Sequence, residues 1–215
     1  MKRIIAVLFV FAIAEIGLSQ SFDKGSRNFD LNLDFAAYKG KVTHNVANAQ
    51  PSNSGAASAI LSPQMEWATG KRISLGASLT YSYYLDSSKS ASGKPMLNGL
   101  DANFIFNFHF LRKPKTDMMV GFKLGIAGIR YDPNDGTGDI YGSMGLASDL
   151  HFTARFYVSN RFGIIANLAF PKYCFNKFGK SLDDTYTINF GGICIGTGLA
   201  IKLSNQRTEG KQAGK

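Results

Sequence analysis

Apolar and polar residues alternate without a break along Asn28-Phe29-Asp30-Leu31-Asn32-Leu33-Asp34-Phe35. Successive side chains of a strand point to opposite faces, so this segment would carry Phe and Leu on one side and Asn and Asp on the other. The same period of two, with β-branched and aromatic enrichment, predicts eight strands, at 27–38, 57–68, 71–84, 99–111, 117–131, 140–158, 161–173 and 185–203. Their connections alternate. Thr69-Gly70, Lys113-Pro114-Lys115-Thr116 and Ser159-Asn160 read as tight turns, while 39–56, 85–98, 132–139 and 172–184 are long and rich in Ser, Asn, Gly, Lys and Pro. Short turns and both termini at one end, with four long loops at the other, describe an even-stranded up-and-down barrel.

One face of the eight segments gathers bulky apolar residues, among them Phe35, Leu61, Leu79, Phe104, Phe106, Leu124, Phe152 and Ile195. The other gathers Asp30, Asp34, Glu66, Arg72, Asp101, His109, Lys123, Asp149, His151, Arg155 and Lys202 among Gly, Ala, Ser and Asn. An eight-stranded barrel has interior volume for little beyond its own side chains, so small residues suit its inside and bulky ones its outside. Five acids face four bases on the polar side, the near-neutrality that ions enclosed together would need. The expected fold is therefore all-β: an eight-stranded antiparallel up-and-down transmembrane β-barrel, lipid outside and ions within. A phase change near Gly191-Gly192 reads as a bulge in the last strand.

Aromatic residues group at the two ends of the strands. Trp67, Phe108, Phe110, Phe156, Tyr157 and Phe162 lie beside the short turns, and Tyr81, Tyr83, Tyr84, Tyr131, Tyr141, Phe170, Tyr173 and Tyr186 beside the long loops. Two such belts are expected where amphipathic rings meet the two membrane–water interfaces.

The ends of the chain agree with export. Met1-Lys2-Arg3 is a basic start, Ile4 to Ala14 is apolar throughout, and Gly17-Leu18-Ser19 offers small residues for cleavage. Residues 1–19 are read as a secretory signal peptide, too short for a membrane-spanning helix; a retained N-terminal anchor is the alternative. Residues 20–26 form a lead, 27–203 the barrel and 204–215 a polar tail. The formal charge of +9 falls by one when Lys2, Arg3 and Glu15 leave with the signal. An exported chain without a basic helix or Arg-rich run is not expected to meet nucleic acid, and an anionic membrane surface or lipopolysaccharide is the natural partner for that charge. Cys174 and Cys194 lie in an oxidising compartment, where a disulfide between them and two separate small apolar residues are both open readings.

From these features the chain resembles the small outer-membrane β-barrel proteins of the OmpA/OmpX size class, and in particular a Bacteroidetes-type barrel-domain family. The likeness covers 27–203 and rests on architecture. Gly198-Leu199-Ala200-Ile201-Lys202-Leu203 is similar to the family's C-terminal assembly signal, with aliphatic residues where an aromatic is usual. The resemblance implies the bacterial outer membrane as location and the barrel-assembly machinery as a partner during biogenesis.

Candidate chemistry is sparse. His151-Phe152-Thr153 loosely resembles the His-x-Ser of a lipid A deacylase, but both polar side chains fall on the lumen face, away from a lipid substrate. His109 is expected to partner Asp101 or Asn107. Asp132-Pro133-Asn134-Asp135-Gly136-Thr137-Gly138-Asp139 has calcium-loop composition but is one residue short of the required spacing, and an ordinary hairpin loop uses the same residues. No His/Cys cluster suggests zinc and no Gly-rich strand-to-helix turn a nucleotide, so no metal or cofactor is expected. The reading is a non-catalytic outer-membrane barrel with a plugged lumen, acting structurally or through contacts of its four long loops with an extracellular ligand that the sequence does not name. A lipid-modifying barrel enzyme and a soluble periplasmic lipocalin-like carrier are the alternatives.

Overall fold

The computed structural model describes residues 24–44, 50–85, 96–132, 140–179 and 185–204. The expected signal peptide, most of the polar tail and seven of the eight residues of the calcium-like loop lie outside them. Eight strands run β1 (Arg27–His44), β2 (Ser52–Ala68), β3 (Ile73–Leu85), β4 (Met96–Lys113), β5 (Thr116–Asp132), β6 (Tyr141–Tyr157), β7 (Phe162–Gly179) and β8 (Thr185–Ser204). Each pairs antiparallel with its sequence neighbours, and β8 closes on β1 from Asn28↔Lys202 to His44↔Tyr186. Closure satisfies the ladder on both sides of every strand and leaves no edge, the condition for crossing a membrane with strands.

Alternation is regular. β1 alternates in exposure from Arg27 to Tyr38, and from Asn28 to Phe35 the buried positions are the polar ones. Phe35, Phe104 and Leu124 are 58%, 57% and 54% exposed, while Asp30 and Arg155 are 0% exposed. A water-soluble barrel would have the reverse, because burial of apolar surface drives its folding. Here hydrocarbon side chains cover the outer wall and ionic ones fill the inside.

The strands are longer than their hydrophobic pattern. Most of the expected loop 39–56 is ladder, with Tyr38↔Ala56 followed by pairs up to Val42↔Ser52. β4 likewise begins at Met96, and β5 and β7 run to Asp132 and Gly179. Alternation marks only the part of a strand that faces two different media. Beyond it, main-chain hydrogen bonds continue while the outward face turns polar at Lys39 and Lys41 and Gly40 interrupts the inward one, so the sequence there reads as loop.

The bulge expected at Gly191-Gly192 is absent: Lys39↔Gly191 and Tyr38↔Gly192 continue the register with β1. Apolar Ile188 and Phe190 share the inward face with Cys194 because the lumen itself turns apolar at that end. Irregular register occurs instead at Arg27/Asn28, His109/Leu111, Gly142/Gly145 and Phe175/Phe178. Cys174 and Cys194 are both free, and they project from opposite faces of neighbouring strands, Cys194 inward opposite Ala169 and Cys174 outward opposite Asn189. A disulfide between them is ruled out by direction alone.

A charge placed on the outer wall tests the orientation. Leu124→Arg in lipid vesicles is expected to lower stability by about 2–4 kcal/mol, the cost of a basic residue near the bilayer midplane. Equilibrium unfolding, followed through the single tryptophan Trp67, measures it. A wall that faces water would tolerate the change.

Candidate functional site

The lumen is the place where chemistry-bearing side chains converge, and it is layered. Inward positions recur at every second residue, so strands in register deliver their polar groups at common depths.

The layer nearest the short turns is built on Arg155 of β6. Its Nε and Nη2 donate to Asp30 Oδ2 at 3.0 and 2.6 Å, and its Nη1 donates to Asp117 Oδ2 at 3.1 Å. Nη2 also donates to Glu66 Oε2. His109 bridges two of the same carboxylates, with Nδ1 2.7 Å from Asp117 Oδ1 and Nε2 2.9 Å from Glu66 Oε1. Asn107 Nδ2 donates to Glu66 Oε1 at 2.9 Å, Ser74 Oγ donates to the same oxygen, and Gln64 Nε2 donates to Asp30 Oδ2 at 2.9 Å. His151 Nε2 reaches Asn107 Oδ1 at 2.9 Å. Strands β1 to β6 are thus tied through one buried guanidinium. Removing a partner from such a cluster leaves an uncompensated charge where water cannot solvate it.

Close approach of these groups requires missing side chains. A Cβ on Gly121 would lie 1.9 Å from Asn107 Oδ1 and 2.4 Å from His151 Nε2, and one on Gly196 would lie 1.7 Å from Asp34 Oδ1. Glycine at these two positions is a consequence of how tightly the lumen is filled.

The middle layer is looser. Lys123 Nζ stands 3.9 Å from Asp149 Oδ2, Tyr173 Oη donates to Asp101 Oδ2 at 2.8 Å, and Asn167 Nδ2 donates to Asp34 Oδ1 at 3.4 Å. Between them lies a cavity of about 30 Å³, room for about one water. Above it Tyr38, Tyr84, Tyr173, Phe175 and Phe190 form an aromatic layer. Phe190 is central, with ring centroids 5.1 Å from Tyr38, 5.0 Å from Tyr173 and 5.8 Å from Phe175. Over this layer, toward the loops, opens an apolar vestibule of about 190 Å³ lined by Val42, Ala56, Leu97, Ile129 and Ile188.

Of the residues expected in the lumen, Asp30, Asp34, Glu66, Asp101, His109, Lys123, His151, Arg155 and Lys202 are buried there, and Asp149 is partly buried among them. Arg72 is not. It is exposed in the turn ahead of β3, where its carbonyl accepts from His109 N at 2.8 Å. Asp117, overlooked in the sequence because it opens a strand beside a turn, takes part in the Arg155 cluster; its even spacing from Lys123 was the available signal. His109 binds Asp117, Glu66 and Ser74, three partners the sequence pattern did not single out. With Asp117 inside and Arg72 outside, the described residues of the lumen hold six carboxylates against Lys123, Arg155 and Lys202, rather than the five against four expected.

The aromatic expectation divides the same way. Trp67, Tyr81, Phe108, Phe110, Phe156, Phe162 and Phe170 are exposed on the outer wall and Tyr83 is half-buried on the same parity, whereas Tyr131, Tyr141 and Tyr186 are half-buried at the loop end on the inward parity. Tyr84, Tyr157 and Tyr173 face inward. Their place in the sequence, near strand ends, is shared with the belt, but their parity is opposite.

No protein-family model and no curated protein matches the sequence. Solved structures do match its fold. The outer membrane protein AlkL, determined in DMPC lipid bilayers, is 13% identical and superposes with a TM-score of 0.54 over 89% of this chain and 96% of its own. OprG from Pseudomonas aeruginosa is 11% identical, covering 85% and 99%, with a TM-score of 0.49. The attachment invasion locus protein Ail of Yersinia pestis is 8% identical, covering 83% and 99%, at 0.43. The chain has the fold of the small eight-stranded outer-membrane β-barrels.

Two substitutions test the filled lumen. Arg155→Met keeps the volume but strips the guanidinium from Asp30, Glu66 and Asp117, and is expected to cost about 3–5 kcal/mol of stability. Gly121→Ala inserts one methyl against Asn107 and His151 and is expected to cost about 1–3 kcal/mol. Unfolding in lipid vesicles reads both; a loss below 1 kcal/mol for Arg155→Met, about the worth of an exposed ion pair, would mean that the cluster is hydrated.

Proposed function

We propose that the protein is an integral outer-membrane barrel of bacteria with a non-catalytic role, structural or in surface contacts made by the loops at its open end, and that its lumen is plugged. The observation that carries this reading is the inversion of the barrel, with Phe35, Phe104 and Leu124 on the outer wall and Arg155 enclosed among Asp30, Glu66 and Asp117. The finer placement in a Bacteroidetes-type family rests on the sequence architecture. Export through a cleaved signal peptide and insertion by the barrel-assembly machinery belong to the same reading.

Two further observations support a plug without catalysis. The Arg155 cluster and the aromatic layer cross the bore at two depths, and between them lies the cavity of about 30 Å³. His151 and Thr153, the nearest approach to a nucleophile pair, point into the lumen, where Thr153 Oγ1 donates to Asn167 Oδ1 at 3.0 Å. A lipid substrate on the outer wall has no access to them.

The mature protein is expected to enter lipid vesicles and to migrate faster on gels before boiling than after, as closed barrels do. In planar bilayers it is expected to give no porin-like conductance. Steady large-pore conductance would refute the plug, and partitioning into buffer without detergent would refute the membrane assignment and favour a soluble carrier.

A further inference from the structure

Acids and bases are sorted across the barrel wall. Six of the seven described carboxylates are in the lumen, and the seventh, Asp132, ends β5. Lys39, Lys41 and Lys172, in contrast, are exposed on the outer wall. The strand register brings these three lysines together. Lys39 of β1 and Lys172 of β7 both pair with Gly191 of β8, and Lys41 pairs with the next outward residue of β8, the exposed Asn189. Two lysines therefore flank a glycine, their backbones two strand spacings or roughly 10 Å apart, with a third lysine one step further toward the loops.

The position of this trio along the strands gives it meaning. On β7 the outward residues run Leu168, Phe170, then Lys172; on β8 they run Ile195, Ile193, then Gly191; on β1 they run Phe35, Ala37, then Lys39. Three adjacent apolar stripes end at the same row, so the lysines stand where the hydrocarbon band gives way to headgroups. Gly191 leaves a notch there: a Cβ would meet nothing closer than Pro171 O at 3.4 Å and Lys172 carbons at 3.9 Å. No carboxylate is present on the outward face of β1, β7 or β8 among the described side chains. Three cations with no counter-ion on these outward faces among the described residues, over apolar ground, suit an anion carrying a hydrocarbon body.

We propose that this notch on the outer wall of β7, β8 and β1 binds the phosphate of a phosphorylated glycolipid of the outer leaflet, the lipid A part of lipopolysaccharide. Lys39 and Lys172 hold the phosphate from either side of Gly191, Lys41 binds from above, and the acyl chains lie along the stripes of Ile193 and Phe170. This rests on the membrane-embedded reading above and names the lipid that the barrel orders around itself.

The test uses the full mature chain in phosphatidylcholine nanodiscs containing a small fraction of diphosphorylated lipid A, with bound lipid counted by native mass spectrometry. The triple variant K39Q/K41Q/K172Q is expected to retain lipid A on the order of tenfold to a hundredfold less than wild type, from the pull of basic residues on anionic headgroups. Lysines at the opposite rim serve as a control, and K71Q/K115Q is expected to match wild type. Gly191→Leu fills the notch without changing charge and is expected to weaken retention several-fold. Dephosphorylated lipid A is expected to bind wild type no better than lipid A binds the triple variant. Equal retention by wild type and a triple variant shown to be folded by its gel migration would overturn the proposal. So would displacement of lipid A by inorganic phosphate alone, which would mark a site for free anions. Failure of the wild type to enter nanodiscs would instead refute the membrane reading on which the site stands.

Discussion

Interior volume is the constraint from which the rest of this structure follows. A closed barrel of eight strands has a bore that its own side chains fill, so each inward position must be small, or polar and partnered. Gly121 and Gly196 show the limit, since one added carbon at either would overlap a neighbouring side chain. Bulky apolar residues have only the outer wall left to them, and there they make the surface a bilayer accepts. Lumen filling and membrane compatibility are one choice made twice, by the same alternation.

Within that bore the charges are organised by burial rather than by balance. Arg155 is enclosed by carboxylates from three other strands, and His109 ties two of those carboxylates together. An ion pair on a surface would be worth little. Here each group depends on the others because water is excluded, and the cluster couples β1 to β6 across sequence distances as large as 125 positions between Asp30 and Arg155. Toward the loops the lumen changes character, to the rings around Phe190 and an apolar vestibule. The same barrel carries an ionic layer at one end of its lumen and an aromatic layer at the other.

The outer wall has its own order. Apolar stripes stop at a shared row, and lysines begin there on β1 and β7. Enclosing the acids while displaying the bases gives a barrel whose excess positive charge is turned to its surroundings. Anionic headgroups are the surroundings that such a wall suits.

Strict alternation in segments such as 28–35 determined the strands, their faces and their number, because a strand between two media must alternate. Short turns and long connections determined the up-and-down order. The small size of the polar-face residues determined which face points inward. What only the tertiary structure decided were matters of registration. Arg72 and Asp117 are both charged residues beside turns, and only the positions at which pairing begins place the first outside and the second against Arg155. Tyr84 and Tyr173 share their neighbourhood with belt aromatics, yet one residue of parity puts them in the bore. The strand extensions past Tyr38 carry no clear hydrophobic period, since their outward face has left the apolar stripe at Lys39 and Lys41 while Gly40 interrupts their inward one. The convergence of Lys39 and Lys172 on Gly191 was likewise invisible, because residues more than a hundred positions apart become neighbours only when β8 closes on β1.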